Sequence, residues 1–171
     1  MGLLRLIDEY DRAARAGDSR EYELSKINSP QSAIPFRHMT TVVQIARTDD
    51  DLFSMLERSG YEIADRTATL DQANRARIWL ERYAPEDAKF AIAETLPEVA
   101  ANEPANVKAA VAAYAAAIKD GEWKADIIHN AVYDAAEAHG VSGKDVFTAV
   151  YRAFLGADRG PRLGWFLEAL G

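Results

Sequence analysis

The sequence predicts an all-α fold, a helical bundle of about eight helices with no substantial sheet. Three observations carry this. Apolar residues recur at the i, i+3, i+4, i+7 spacing of a helix face along most of the chain, and no run alternates long enough to make a strand. Prolines and glycines fall between these runs, where helices start and stop. Good helix formers, alanine above all, fill the runs themselves.

Each element follows in order. Residues 3–16 place Leu3, Leu6, Ile7 and Tyr10 on one face, with acids and arginines opposite. A polar, loop-containing stretch leads to Pro35, which opens a helix whose Phe36, Met39, Val42, Val43 and Ala46 share a face. TDDDLFSMLERSG, residues 48–60, puts acids at the positive N-terminal end of a helix that stops at Gly60. Ala76, Trp79, Leu80 and Tyr83 form the next stripe; Pro85 breaks it, and residues 86–96 restart the helical pattern. Pro97 and Pro104 mark a turn-rich stretch. NVKAAVAAYAAAIKD, residues 106–120, is strongly helical, with alanines that would let a neighbouring helix approach closely. Gly121 ends it, and the following helix ends at Gly140.

Ser142 with Asp145 three residues on predicts a capping box, opening a helix that buries Val146, Phe147, Val150 and Phe154. Pro161 suits the first turn of a last helix, whose Leu163, Phe166, Leu167 and Leu170 make one apolar stripe. A helix of about ten residues is too short to stand alone, so it must dock on the rest. The pattern divides into a small N-terminal helical region over 1–66 and a larger C-terminal one over 67–171.

The 171 residues are 49% apolar, as expected for a globular chain with a real core. The absence of cysteine excludes a disulfide framework and thiolate metal sites. No secretory leader or membrane-spanning run is present, so the expected compartment is the cytoplasm. The net charge of −7 argues against a whole-surface field for nucleic acid. Its distribution leaves room for a local patch, because residues 141–171 carry four bases against three acids.

Enzyme motifs are scarce. HGVSGK lacks the spacing and preceding strand of a phosphate loop. His38, His129 and His139 are too far apart for a helical metal pair, and His129 reads as a packing residue. On the polar face of the Pro35 helix, Arg37, Thr41 and Gln44 could contact phosphates or base edges, or simply be solvated. Arg75 and Arg82 flank the Trp79 stripe and could span a phosphate run, or pair with Asp71, Glu81 or Glu86. Trp123 and Trp165 could stack on unpaired bases or fill a core.

Several stretches together resemble one family. GVSGKDVFTAVYRAFLGADRGPRLGWFLEALG is similar to the end of class I glutamyl- and lysyl-tRNA synthetases. LLRLIDEYDRAARAG, AIPFRHMTTVVQIA and ARIWLERYAPEDAKFAI, in that order, resemble segments of class I lysyl-tRNA synthetase in particular. The resemblance runs from Leu3 to Gly171 and implies the helical, tRNA-binding part that follows the catalytic domain. That part is a stem-contact region over 1–66 and an anticodon-binding α-helix cage over 67–171, with GPRLGWFLEALG as the terminal lid.

The His-x-Gly-His and KMSKS-type motifs of the family's catalytic domain do not occur. The resemblance therefore implies a chain that is not an enzyme alone and needs no cofactor. ATP and lysine would bind the catalytic domain. The implied partners are tRNA(Lys) and that catalytic domain, with neither DNA nor a membrane. The RNA-binding candidates are Arg37, Gln44, Arg75, Arg82, Arg152 and Arg162; Arg152 gains from lying in the helix that matches the family's arginine-bearing one. Leu3, Leu4 and Ile7 would face the catalytic domain and are expected to lie exposed without it.

Two other readings stay open. One is a stand-alone relative that binds a protein partner. The other is an unrelated helical scaffold, which a structure lacking a concave, locally basic face would favour.

Overall fold

The computed structural model describes residues 34–119 and 121–171, together with Glu9 and Arg12, which are helical and exposed. The expected helix over 3–16 and the expected exposure of Leu3, Leu4 and Ile7 otherwise lie outside the described residues. Among the described residues there are eight α-helices, one short 3₁₀ turn and no strand, so the fold is all-α.

The first three helices form one layer. α1 (Phe36–Ile45) starts after Pro35 and buries Met39, Val42 and Ile45. α2 (Asp49–Arg58) opens with a capping box in which Thr48 and Asp51 satisfy each other's backbone N–H groups, and three acids sit on its positive end. α3 (Arg66–Arg82) is capped by Asp65 and lies along α1, burying Ala73, Ala76, Trp79 and Leu80. Packing thus runs across position 66. Tyr83, expected to continue that stripe, is the exposed residue that ends the helix.

The second layer holds α4 (Glu98–Ala101), α5 (Ala105–Lys119), α6 (Ala125–Ala138) and α7 (Gly143–Leu155). α5 packs on α6 and α7, and α4 on α7. Of the α5 alanines only Ala110 is fully buried, while Ala109, Ala112 and Ala115 face solvent. These residues therefore supply propensity more than close approach. The expected capping box at Ser142 and Asp145 is present. α7 stops at Gly156, whose φ of 65° is the left-handed conformation that glycine adopts without a Cβ penalty.

Residues 86–96 do not restart a helix. Only Glu86–Ala88 makes a 3₁₀ turn, and the chain then runs extended. Tertiary hydrogen bonds overrule the local pattern: Gln44 Oε1 accepts from the Phe90 N–H at 2.9 Å, and the Ala93 N–H donates to the Phe154 carbonyl at 2.8 Å. Phe90 then meets Phe166 edge-on, with ring centroids 5.9 Å apart.

The last helix, α8 (Leu163–Leu170), joins the layers by packing on α1, α2 and α6. Arg162 is its N-cap; Pro161 lies just outside the helix and spends its carbonyl on the Tyr151 hydroxyl, 2.5 Å away. Leu163, Phe166 and Leu167 are buried, each worth roughly 1.5–3 kcal/mol relative to exposure. The C-terminal turn of α8 serves the docking. Buried Glu168 accepts from the Ala125 N–H at the start of α6, and Arg58 donates to the Ala169 and Leu170 carbonyls at 2.7 and 3.3 Å. The indole N–H of Trp123 donates to the Leu167 carbonyl, so this tryptophan braces α8. Among the described residues no helix is long and apolar enough to cross a membrane.

Candidate nucleic-acid interface

The meeting of α8 with both layers leaves a cleft of about 610 Å³. One wall is α1 and the 85–90 segment; the other is α7 and the 159–162 loop, with Trp165 of α8 and His129 of α6 completing it. Arg37, Lys89, Arg159 and Arg162 line it, against a single carboxylate, Asp87. A chain with net charge −7 therefore carries a concave, locally basic face. Lys89 reaches Glu86 at 2.8 Å, whereas Arg159 and Arg162 form no ion pair among the described residues.

Aromatic rings supply the other half of the lining. Trp79, Phe90, Phe147, Tyr151 and Trp165 all contribute, the last four half-buried with surface to offer. The Arg162 guanidinium lies 4.9 Å from the centre of the Trp165 ring, and His38 meets the same ring edge-on at 5.6 Å. Cationic groups beside flat π-surfaces are the arrangement that holds unpaired bases and their phosphates.

Of the six sequence candidates, Arg37, Gln44 and Arg162 come together here. Gln44 has its amide engaged: Nε2 donates to the Thr40 and Ala88 carbonyls while Oε1 holds Phe90. It builds the wall. Arg75 and Arg82 are exposed on α3, outside this cleft, and form no ion pair among the described residues.

Arg152 lies in a second cleft of about 940 Å³ between α5, α6, α7 and the 158–159 loop. Its guanidinium donates to Glu103 at 2.8 Å and to Asp158 at 2.6 Å. Those bonds raise the Arg152 pKa and hold Asp158 below the usual carboxylate range. Asp145 is likewise held low by its hydrogen bonds from Ser142.

The candidates read from the sequence did not include Arg159, Lys89 or Tyr151, and Phe147, expected in a buried stripe, is half-buried and lines the cleft. The available signal was DRGPR, two arginines three residues apart in a glycine-bounded loop that no helix stripe absorbs.

Residues 43–171 match the family described as anticodon binding domain. The chain belongs to that family. It is 39% identical to a lysine–tRNA ligase of Picrophilus torridus, the match covering 99% of this chain and 36% of the ligase. It is 38% identical to that of Archaeoglobus fulgidus, over 100% and 34%, and 33% identical to that of Thermoplasma acidophilum, over 100% and 36%. The chain thus spans about a third of the length of these curated relatives. For an anticodon-binding domain, the basic aromatic cleft is the surface with the matching chemistry.

Proposed function

We propose that this chain is the tRNA-binding, anticodon-recognising C-terminal part of a class I lysine–tRNA ligase. It positions tRNA(Lys) in the cytoplasm for aminoacylation by a catalytic domain that binds ATP and lysine. The observation that carries the reading is the cleft, where cations outnumber carboxylates four to one among aromatic rings. The share of each relative that the chain covers supports a division of labour between this domain and a separate catalytic one.

In this mechanism Arg159 and Arg162 take backbone phosphates, which set position but carry no sequence information. Trp165 and its neighbours stack on bases splayed out of the anticodon loop. Gln44 and Glu168 act through the wall, by fixing the 88–90 segment and α8.

The test is a titration of the chain with tRNA bearing the lysine anticodon and with tRNAs altered at single anticodon bases, at two salt concentrations. A preference for the lysine anticodon that persists at the higher salt is expected. Equal, salt-sensitive binding of all the tRNAs would reduce the site to a phosphate clamp.

A further inference from the structure

We propose that the ridge between the two clefts is a second stacking subsite, in which Tyr133 carries an unstacked nucleobase of a single-stranded RNA segment. The adjoining nucleotide of that segment lies in the basic cleft. This inference rests on the reading of that cleft as the RNA site.

Tyr133 is 52% exposed on α6, yet its ring is not loose. It meets His129 edge-on at 5.8 Å and Phe147 at 5.7 Å, while His129 and Phe147 lie 5.0 Å apart. The three rings close a triangle. The tyrosine also lies against Gly143 at the start of α7, so closely that a Cβ there would meet its Cδ1 at 2.9 Å. A large, held ring with open surface binds a flat partner at low cost in side-chain ordering.

The position links the clefts. His129 lines the basic cleft, Tyr133 the second one, and Phe147 both, so the rings form a continuous apolar path across the ridge. The charges along that path suit a phosphodiester. Arg159 lines both clefts and Lys144 the second, and neither forms an ion pair among the described residues. The carboxylates of the second cleft are engaged elsewhere: Glu103 and Asp158 with Arg152, Asp145 with Ser142. Continuity with a basic cleft and two cations outside any salt bridge among the described residues point to nucleic acid. Base stacking suits the ring, since every base has a π-face.

The experiment uses the full chain and tRNA bearing the lysine anticodon, with 2-aminopurine placed at each anticodon-loop position in turn. At one position binding should quench the fluorescence, and Tyr133→Leu should abolish that quenching while leaving the other positions unchanged. Affinity should fall roughly tenfold in Tyr133→Leu and recover in Tyr133→Phe, which keeps the ring and loses the hydroxyl. Unchanged quenching and affinity in Tyr133→Leu would overturn the subsite and leave the reading of the basic cleft standing. Wild-type chain that binds none of these tRNAs would overturn both.

Discussion

The two clefts share Phe147 and Arg159 but use their charges in opposite ways. In the second cleft three cations face three carboxylates, and Arg152 is spent on two of them. In the basic cleft Asp87 is the single lining acid, and Arg159 and Arg162 are not neutralised by any ion pair among the described residues. Arginine content therefore does not distinguish the two clefts; what each guanidinium is bonded to does. Around Arg152 the second cleft is tied together by its own salt bridges, whereas the basic cleft is bordered by a short helix locked at its C-terminal turn.

That lock is where the contrast breaks most easily. A Cβ at Gly164 would fall 1.9 Å from the Ala125 carbonyl oxygen, a backbone atom at the start of α6 that cannot step aside. Gly164→Ala therefore pushes α8 off α6, pulls Glu168 from the α6 N-terminus and displaces Trp165 and Leu163 from the wall. The expected cost is at least about 3 kcal/mol, read as a lower midpoint in urea unfolding. Binding through the basic cleft should go with it. An unchanged midpoint would show that the helices part without penalty and that the approach is not structural.

Acid should act on the same side of the molecule. His38 is buried, and neither ring nitrogen has a hydrogen-bond partner among the described residues; its ring lies between those of Tyr61 and Trp165. Burial lowers its pKa from 6.5 to about 4. Between those values the unfolded chain takes up a proton that the folded chain refuses, so this group leaves stability unchanged above pH 6.5 and erodes it as the pH falls toward 4. The loss approaches its full value of about 3 kcal/mol once the pH is below 4, from the difference between 6.5 and about 4 at about 1.36 kcal/mol per pH unit. Unfolding of wild type and His38→Phe at pH 7 and pH 4.5 isolates the contribution of this histidine. Parallel pH profiles would remove His38 as its source.

The helices were legible in the sequence because their causes are local. The stripe of α8 and the cap at Ser142 each lie within a few residues of chain. The cleft was less legible because its walls come from positions as far apart as Arg37 and Trp165. Gln44 shows why: its amide read as a polar face residue, but the group it holds is the Phe90 N–H, 46 positions on. The same hydrogen bond is part of what turned the helical pattern of residues 86–96 into extended chain. Arg152 and Arg162 both belong to the least acidic part of the chain, and the sequence favoured Arg152, in the helix that resembles the family's arginine-bearing one. Only the fold brings Glu103, 49 positions away, to Arg152, whereas Trp165 lies three residues from Arg162.

That pair supplies the finest test of the comparison, because one substitution made twice should fail in two ways. Arg162→Ala removes a guanidinium that bonds no carboxylate among the described residues and lies over Trp165, so thermal stability should change little. Its tRNA affinity should fall on the order of tenfold, and the dependence on salt should weaken by about one released ion, as expected when a phosphate contact is lost. Arg152→Ala instead strands Glu103, whose side chain is only 9% exposed, beside Asp158. It should melt earlier, and Glu103→Gln in the same chain should restore part of the loss, since the amide leaves no buried charge. Below the melting transition its salt dependence should stay that of wild type. Interchanged results, with Arg152→Ala altering the salt slope and Arg162→Ala the melting point, would make the second cleft the phosphate site and the basic cleft the scaffold.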